Sequence, residues 1–302
     1  MPQQEQRTGT LYAIAAYVMW GIAPLYFAAV KSIPADEIVM HRVIWSFGLV
    51  LALVLLQKQW GQVRTLLRRP KIIGLLFLSA SVIACNWLVF IWAVTNDHVI
   101  DASLGYFINP LLNVALGVML LSERPGKLSL VAVALAAIGV LYQLVQFGSV
   151  PYVSLFLASS FGIYGLIRKQ IKVQATTGLL IETALLLPFA LLYWSLIDTA
   201  SGDMSSNPLN INLLLVLSGV VTTLPLLAFS AAAVRIPFYL LGMLQYIGPS
   251  LMLVMALTIF GEQFNPEQTV TFGCIWLALI LMSAEALTKA RARRKAKRSS
   301  AA

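Results

Sequence analysis

Residues 105–124, GYFINPLLNVALGVMLLSER, form an apolar stretch of the length that a helix needs to cross about 30 Å of hydrocarbon. A proline lies near the middle of the stretch and a glutamate near its end. A second copy, LQYIGPSLMLVMALTIFGEQ at 244–263, follows at a shift of 139 positions. We therefore predict two related halves, each built around one of these helices. The identical pairs are Ile108 and Ile247, Pro110 and Pro249, Leu112 and Leu251, and Glu123 and Glu262.

A stripe of small and polar residues runs along one face of the first copy. Its members are spaced alternately three and four residues apart, which places them on the same side of a helix. The second copy carries a matching stripe, so each helix has a small or polar face within an apolar surface. The members are Ser103, Tyr106, Pro110, Asn113 and Gly117, matched by Gly242, Gln245, Pro249, Met252 and Ala256.

The composition excludes an ordinary soluble domain. Of the 302 residues, 59% are hydrophobic and 11% are charged, whereas soluble proteins carry about 25% charged residues. Apolar runs recur along the chain and are continuous, which favours membrane-spanning helices over the alternating segments of a barrel. We therefore predict an all-α integral membrane protein.

Cysteine and histidine do not indicate a disulfide or a metal site. Cys85 and Cys274 both lie inside apolar spans, and His41 and His98 lie on different segments. Because no Cys/His cluster has the spacing of metal ligands, we expect neither a metal nor another cofactor.

Ten transmembrane helices are predicted, five in each half. The first five spans make one repeat, 8–146, and the next five make a second, 151–287, followed by a basic tail, 288–302. The predicted spans are 8–30, 36–57, 72–94, 101–121, 128–146, 151–171, 176–197, 213–234, 237–260 and 269–287.

The basic residues predict the orientation in the membrane. With the N-terminus in the cytoplasm, 19 of the 21 lysines and arginines lie on the cytoplasmic side, and Lys31 and Arg42 are the exceptions. Cytoplasmic loops carry an excess of such residues, so both termini are predicted to be cytoplasmic. The tail is then an anchor at the lipid surface, and no nucleic-acid partner is expected.

An odd number of spans per half makes the second half enter the membrane from the opposite side. The repeat is therefore predicted to be inverted, with a pseudo-two-fold axis in the membrane plane. The first spans of the two halves also align, at a shift of 141. The identical or similar pairs are Trp20 and Phe161, Gly21 and Gly162, Ile22 and Ile163, and Lys31 and Lys172.

This pattern resembles the EamA-domain branch of the drug/metabolite transporter superfamily. The shared features are the early Trp-Gly pair, the proline-centred fourth span, the small-residue–Glu pair that ends it, and the duplication. Three further blocks resemble the RarD group within that branch: HRVIWS at 41–46, CNWLVFIWAV at 85–94 and ASLGYFINPLLNV at 102–114. One departure is Phe161-Gly162, which replaces the Trp-Gly pair in the second half.

The resemblance extends over about 9–287 and implies a ten-span transporter of the bacterial inner membrane. It implies no substrate, because the name of the group, chloramphenicol-sensitive protein, describes a phenotype.

Inverted repeats place a substrate site near the bilayer midplane, where the halves meet. Pro110 and Pro249 each remove one backbone donor there, so both are hinge candidates; the alternative is a tolerated kink. Asn109 and Asn113 either bond a neighbouring helix or contact the substrate.

The other candidates for the cavity wall are polar or aromatic. Such walls suit an amphipathic organic molecule better than a bare ion. For the aromatic side chains, packing or the interfacial belt is the alternative. These candidates are Asn86, Trp87, Phe90, Tyr106, Gln245 and Tyr246.

Ionisable residues inside a membrane are costly and suggest function. His41 and Glu182 occupy matched places at the shift of 141, in the second and seventh spans. An imidazole titrates near neutrality and a buried carboxyl can carry a proton, so both are proton-coupling candidates. Snorkelling or a static ion pair is the alternative.

Glu123 and Glu262 end the two matched helices, where a glutamate opposes the helix dipole. Propensity does not explain the duplication, so both are gate candidates. The alternative is a role in the turn at the membrane surface.

The function expected is secondary transport of a small organic metabolite or amphipathic drug by alternating access. No Walker A motif is present to use ATP. An integral membrane enzyme with a lipid-soluble substrate is a weaker alternative, because the chain has no convergent catalytic set, and an accessory membrane protein is another. We expect a monomer or homodimer.

Overall fold

The computed structural model describes residues 3–95, 99–148, 150–196, 201–259 and 266–299, and this part of the chain folds into helices. The helices are α1 (Gln3–Ala29), α2 (Ala35–Leu56), α3 (Trp60–Leu67), α4 (Pro70–Thr95), α5 (Val99–Leu121), α6 (Lys127–Phe147), α7 (Tyr152–Ile171), α8 (Ala175–Leu196), α9 (Leu209–Ala233), α10 (Phe238–Leu244), α11 (Ile247–Thr258) and α12 (Pro266–Ser299).

Eight helical segments are long and apolar enough to cross a membrane. Each lies on a predicted span, because a continuous apolar run satisfies its backbone only as a helix in hydrocarbon. The eight segments are α1, α2, α4, α5, α6, α8, α9 and the stretch Phe238–Thr258, which α10 and α11 form together.

Two predicted spans lie outside that group. Helix α7 packs between α4 and α5 and buries Ser154, Ser160 and Gly162. Because it faces protein, it can be less apolar than a lipid-facing helix. In α12, the apolar part Thr269–Glu285 is short, and the predicted tail continues the helix to Ser299.

The predicted ninth span, 237–260, is divided in two. Helix α10 ends at Leu244 and α11 begins at Ile247, and the N–H of Gly248 donates to the carbonyl of Gln245 at 3.0 Å across the junction. Pro249 has no N–H to continue the ladder, and its ring would collide with a helical carbonyl four residues earlier. The break therefore follows from the proline.

Helix α3 occupies part of the connection after the second span, which was predicted as a loop. Its eight residues carry one buried side chain, Val63, and several exposed polar ones. An element this short and basic has too few apolar positions for a periodic signal.

The most extensive helix contacts within the described residues all join the two halves of the chain. Three of these contacts join equivalent helices, namely α2 with α8, α5 with α10, and α6 with α12. The others occur in reciprocal pairs: α5–α7 with α1–α11, α1–α9 with α4–α7, and α2–α9 with α4–α8. The helices of each half therefore find most of their packing partners in the other half.

Glycines allow the closest of these approaches. A Cβ added at Gly242 would lie 2.7 Å from the carbonyl oxygen of Pro110 in α5. One added at Gly21 would lie 2.9 Å from Leu251, and one at Gly162 would lie 3.3 Å from Leu112, the residue that matches Leu251. The small face recognised in the sequence is thus the surface along which the halves meet.

We predict that Gly242→Ala destabilises the protein by about 1–3 kcal/mol, the usual cost of overpacking a close contact. The new methyl group would force the backbone of α5 away from α10. Thermal unfolding of the purified protein in detergent measures the change.

Gly48→Ala in α2 is the matched control, because a Cβ there meets nothing within 4 Å. Removing a helix-interior glycine should leave the unfolding temperature unchanged or raise it slightly. Equal unfolding temperatures for the two variants would contradict the close packing of α5 on α10.

Candidate substrate cavity

A buried polar cluster joins the matched helices α5 and α10. The side-chain Nδ2 of Asn113 donates to Oδ1 of Asn109 at 3.0 Å and to Oε1 of Gln245 at 3.1 Å. Asn109 in turn donates to the carbonyl of Ala158 in α7. All three amides are buried, so these predicted cavity residues are brought together by bonds between helices.

The two hinge candidates lie in different local structures. Pro110 is inside the continuous helix α5, with its carbonyl against Gly242. Pro249 is the third residue of α11, in a first turn where N–H groups lack helical partners anyway. Between them, the buried Tyr246 donates its hydroxyl to the carbonyl of Phe107, its counterpart in the other half, at 3.1 Å. Movement at either proline stays a prediction.

Arg42 lies among aromatic side chains contributed by several helices. Its guanidinium carbon is 4.7 Å from the ring centroid of Trp87 and 5.9 Å from that of Phe27. Its Nε donates to the hydroxyl of Thr222 at 2.7 Å. We refer to Arg42, Phe27, Trp87 and Thr222 as the Arg42 site.

Aromatic side chains continue along α4 from the Arg42 site. Phe90, one turn after Trp87, packs its ring edge-on to Tyr106 at a centroid distance of 6.3 Å, and Tyr106 is 36% exposed. Asn86, by contrast, donates to the carbonyl of Leu157 at 3.0 Å and to the hydroxyl of Ser160 at 2.8 Å. Of the three predicted residues of α4, Trp87 therefore lies against Arg42 and Phe90 against Tyr106, whereas Asn86 ties α4 to α7.

In the sequence, Arg42 stands out only as an exception to the charge asymmetry and is not among the predicted site residues. That exception was the available signal, because a charge inside an apolar span is rare without a role. Arg42 is half-buried, and a cation–π contact of about 0.5–2 kcal/mol offsets part of the cost of removing its guanidinium from water.

His41 is fully buried and enclosed by its neighbours. Trp45 donates its indole N–H to Nδ1 of His41 at 3.3 Å, and the Ser201 hydroxyl lies 3.4 Å from Nε2. Glu37 accepts hydrogen bonds from the N–H of Ser201, at 2.9 Å, and from its hydroxyl. The imidazole thus belongs to a contact between α2 and the connection that precedes α9.

That connection is held by its own hydrogen bonds. Asp203 accepts from the N–H of Ser205 at 3.1 Å and from its hydroxyl at 2.6 Å. These bonds hold the pKa of the Asp203 carboxyl below its usual range. The local turn keeps Ser201 in place against Glu37.

Glu182 forms a buried ion pair. Its Oε1 accepts from the hydroxyl of Ser79 at 2.5 Å and lies 3.6 Å from Nη1 of Arg168. Arg168 donates through Nε to the hydroxyl of Ser230 at 3.1 Å, and Gly178 leaves room for the guanidinium. The second proton-coupling candidate therefore has a basic neighbour, as the ion-pair alternative expects, and carries one carboxylate oxygen without a hydrogen bond among the described residues.

Glu123 joins α5 to the start of α10. Its two carboxylate oxygens accept from the N–H groups of Phe238, at 2.7 Å, and Tyr239, at 3.0 Å, while Nζ of Lys169 lies 3.5 Å away. A carboxylate in this position satisfies helix N–H groups that lack partners and favours the positive end of the dipole. Glu262, its partner in the repeat, lies outside the described residues.

Comparison with known proteins identifies the family. The model of the EamA-like transporter family matches residues 7–145. An uncharacterized transporter of Vibrio cholerae is 51% identical over 297 residues, covering 98% of each chain, and the protein RarD of Escherichia coli K12 is 49% identical over 288 residues, covering 95% of this chain and 97% of RarD. The chain belongs to the EamA-like transporter family.

Within the EamA-like family the chain falls in the RarD group of the drug/metabolite transporter superfamily. A solved crystal structure superposes with a TM-score of 0.69 over 91% of this chain and 97% of that chain, at 15% identity. This likeness concerns the fold alone. The resemblance read from the sequence blocks is confirmed, and the chain is a multi-pass membrane protein of a transporter family.

The site chemistry suits an organic ligand. Within the described ranges, no group of three or more His, Cys, Asp or Glu side chains is placed to hold a metal ion. The Arg42 site instead offers hydrogen-bond donors beside aromatic surface, the combination typical of organic ligand sites.

We predict that Glu123→Ala lowers the stability of this EamA-like protein by about 1–2 kcal/mol, because two N–H groups of α10 lose their acceptor. Thermal unfolding in detergent measures the loss. Glu5→Ala, which removes an exposed carboxylate, is the control. A variant with wild-type stability but altered transport would make Glu123 a gate residue without a capping role.

Proposed function

We propose that this EamA-like protein is a ten-span secondary transporter of the bacterial inner membrane. It moves a small organic molecule by alternating access, through two inverted repeats, 8–146 and 151–287. The reciprocity of the helix contacts is the observation that carries the proposal: when one helix of the first half packs on another of the second, the equivalent pair packs as well.

Reciprocal packing supports alternating access for a geometric reason. In an inverted repeat, the two halves have the same fold but opposite orientation, so exchanging their conformations turns an outward opening into an inward one. The contacts of Gly21 with Leu251 and of Gly162 with Leu112 are one such exchangeable pair.

The proposed orientation gains support from residues gathered at one end of the bundle. Lys58, Arg69 and Lys172 line one cleft of about 520 Å³ there. At the same end, Arg235 lies over the ring of Tyr12, at 5.5 Å. All four basic residues lie in connections between helices, and the charge asymmetry assigns these connections to the cytoplasm.

We propose that Glu123 is a gate residue at the basic end. It links the end of α5 to the start of α10 and lines a cleft of about 590 Å³ there. Release of the Glu123 contacts would accompany opening toward the cytoplasm.

The decisive test is vectorial movement. A thermal-shift screen of metabolites and amphipathic drugs on the purified protein identifies ligands, and counterflow in proteoliposomes then measures their transport. Chemical conversion of a ligand without movement across the membrane would overturn the proposal in favour of an enzyme.

The orientation is tested by single cysteines in a background without Cys85 and Cys274. We expect a membrane-impermeant maleimide to label Ser206→Cys only from outside and Thr65→Cys only from the cytoplasmic side, since both positions are exposed in connections at opposite ends. The reverse pattern would contradict the proposed orientation, and labelling of both positions from one side would exclude an odd number of spans between them.

Coupling to protons is proposed to involve Glu182. Glu182→Gln removes the titrating carboxyl while keeping its shape, so transport driven by an imposed pH gradient should fail. Exchange of substrate at equal pH should survive, because alternating access needs no net proton movement. Flux in proteoliposomes with and without the gradient measures both quantities.

Two controls separate coupling from structure. His41→Gln replaces the residue that matches Glu182 in the other half. It should reduce gradient-driven transport less than Glu182→Gln does, because Arg42 beside it keeps a positive charge there. The double variant Arg168→Gln, Glu182→Gln removes both charges of the ion pair. If the double variant regains gradient-driven transport, Glu182 serves only to neutralise Arg168.

A further inference from the structure

The Arg42 guanidinium has bonding capacity that the protein does not use. Of its five N–H donors, the one on Nε donates to Thr222. The four on the terminal nitrogens have no acceptor among the residues that the structure describes. The ion pairs in that part of the chain are Arg168–Glu182 and Lys169–Glu123, so no carboxylate there neutralises Arg42.

We infer that Arg42 binds the anionic group of the transported molecule, and that this molecule is an aromatic organic anion, with a carboxylate as the simplest case. The inference rests on the proposed transport function and names the substrate class of its site. The edge formed by the two terminal nitrogens of Arg42 has no acceptor among the described residues, and its two parallel N–H groups match the two oxygens of a carboxylate.

The acidic residues nearest to Arg42 in sequence are already engaged elsewhere. Asp36 accepts a hydrogen bond from the hydroxyl of Tyr193 at 2.5 Å. Glu37 accepts from the N–H and hydroxyl of Ser201. Neither Asp36 nor Glu37 forms an ion pair with Arg42 in the described part of the chain.

The other half of the chain shows how this fold neutralises an arginine permanently. Arg168 matches Phe27, the ring under Arg42, at the shift of 141, and it lies between the first two helices of its half. There Glu182 supplies a carboxylate at 3.6 Å. Arg42 also lies against α1, at Phe27, but it has no such carboxylate partner among the described residues. Arg42 is half-buried, whereas Arg168 is buried.

The surroundings of Arg42 specify the rest of the ligand. Trp87 covers one side of the guanidinium, and Phe90 and Tyr106 form an edge-to-face pair beside it. Rings at this distance favour a flat apolar group, which can pack against them while its charge meets Arg42. A small inorganic anion would leave this aromatic surface uncovered.

Matched pairs of probes test the inference on the purified full-length protein. The probes are benzoate, phenylacetate, cinnamate and indole-3-acetate, each compared with its primary amide, which has the same shape without the charge. Binding at neutral pH is measured by thermal shift and by calorimetric titration. We expect at least one carboxylate to bind about tenfold or more tightly than its amide, as a charge-assisted contact predicts.

Variants of Arg42 assign the binding to this site. Arg42→Gln should weaken carboxylate binding by roughly tenfold or more and leave amide binding unchanged. Arg42→Lys should recover part of the affinity, because the charge remains but the planar fork is lost. Arg235→Gln is the control, since it removes another arginine that lies over an aromatic ring, at the far end of the bundle.

The outcomes distinguish the substrate class from the transport function. If no carboxylate binds more tightly than its amide, or if Arg42→Gln binds carboxylates as well as wild type does, the inference is overturned. Partial binding by Arg42→Lys shows that the loss in Arg42→Gln comes from the missing charge and not from a folding defect. If binding depends on Arg42 but counterflow in proteoliposomes is absent, Arg42 binds the anion and the proposed transport function is overturned. If a neutral compound is transported independently of Arg42, the transport function is supported and the proposed substrate class is overturned.

Discussion

The close approach of α5 and α10 is the contact on which the remaining architecture depends. Gly242 lets the carbonyl of Pro110 lie against it, and this distance lets Asn113 reach Gln245. In a bilayer, helices gain little by hiding apolar surface from one another, so association depends on tight packing and hydrogen bonds. A larger residue at 242 would separate the backbones and leave buried amides without partners.

The same physical rule explains where the polar residues lie. Asn86 and Asn109 both reach backbone groups of α7, and Tyr246 reaches one of α5. Each bond joins the first half to the second. Polar side chains that a sequence suggests as cavity walls can thus form hydrogen bonds between helices.

Periodicity and apolar length were sufficient to predict the principal elements. Spacing along a helix showed that 105–124 and its copy each carry a small or polar face, because it determines which residues share a face. The contact between α5 and α10 comes from the structure. The break between α10 and α11 was signalled by Pro249 but could also have been a kink. The pairings of Glu123 with α10 and of Glu182 with Arg168 were not predictable, because they join positions whose proximity depends on tertiary packing. Arg42 was not predicted as a site residue, because Phe27, Trp87 and Thr222 come close to it only through the packing of different helices.

The interleaving of the halves bears on how the protein is made. Helices of the first half enter the membrane first during synthesis, yet their main partners belong to the second half. The glycine and asparagine faces of α5 then remain among lipid until α7 and α10 arrive. Compact packing therefore waits for most of the chain to be synthesised, in contrast to proteins whose domains fold one after another. The first half expressed alone would therefore supply helices that insert into the membrane without the second-half helices against which they pack.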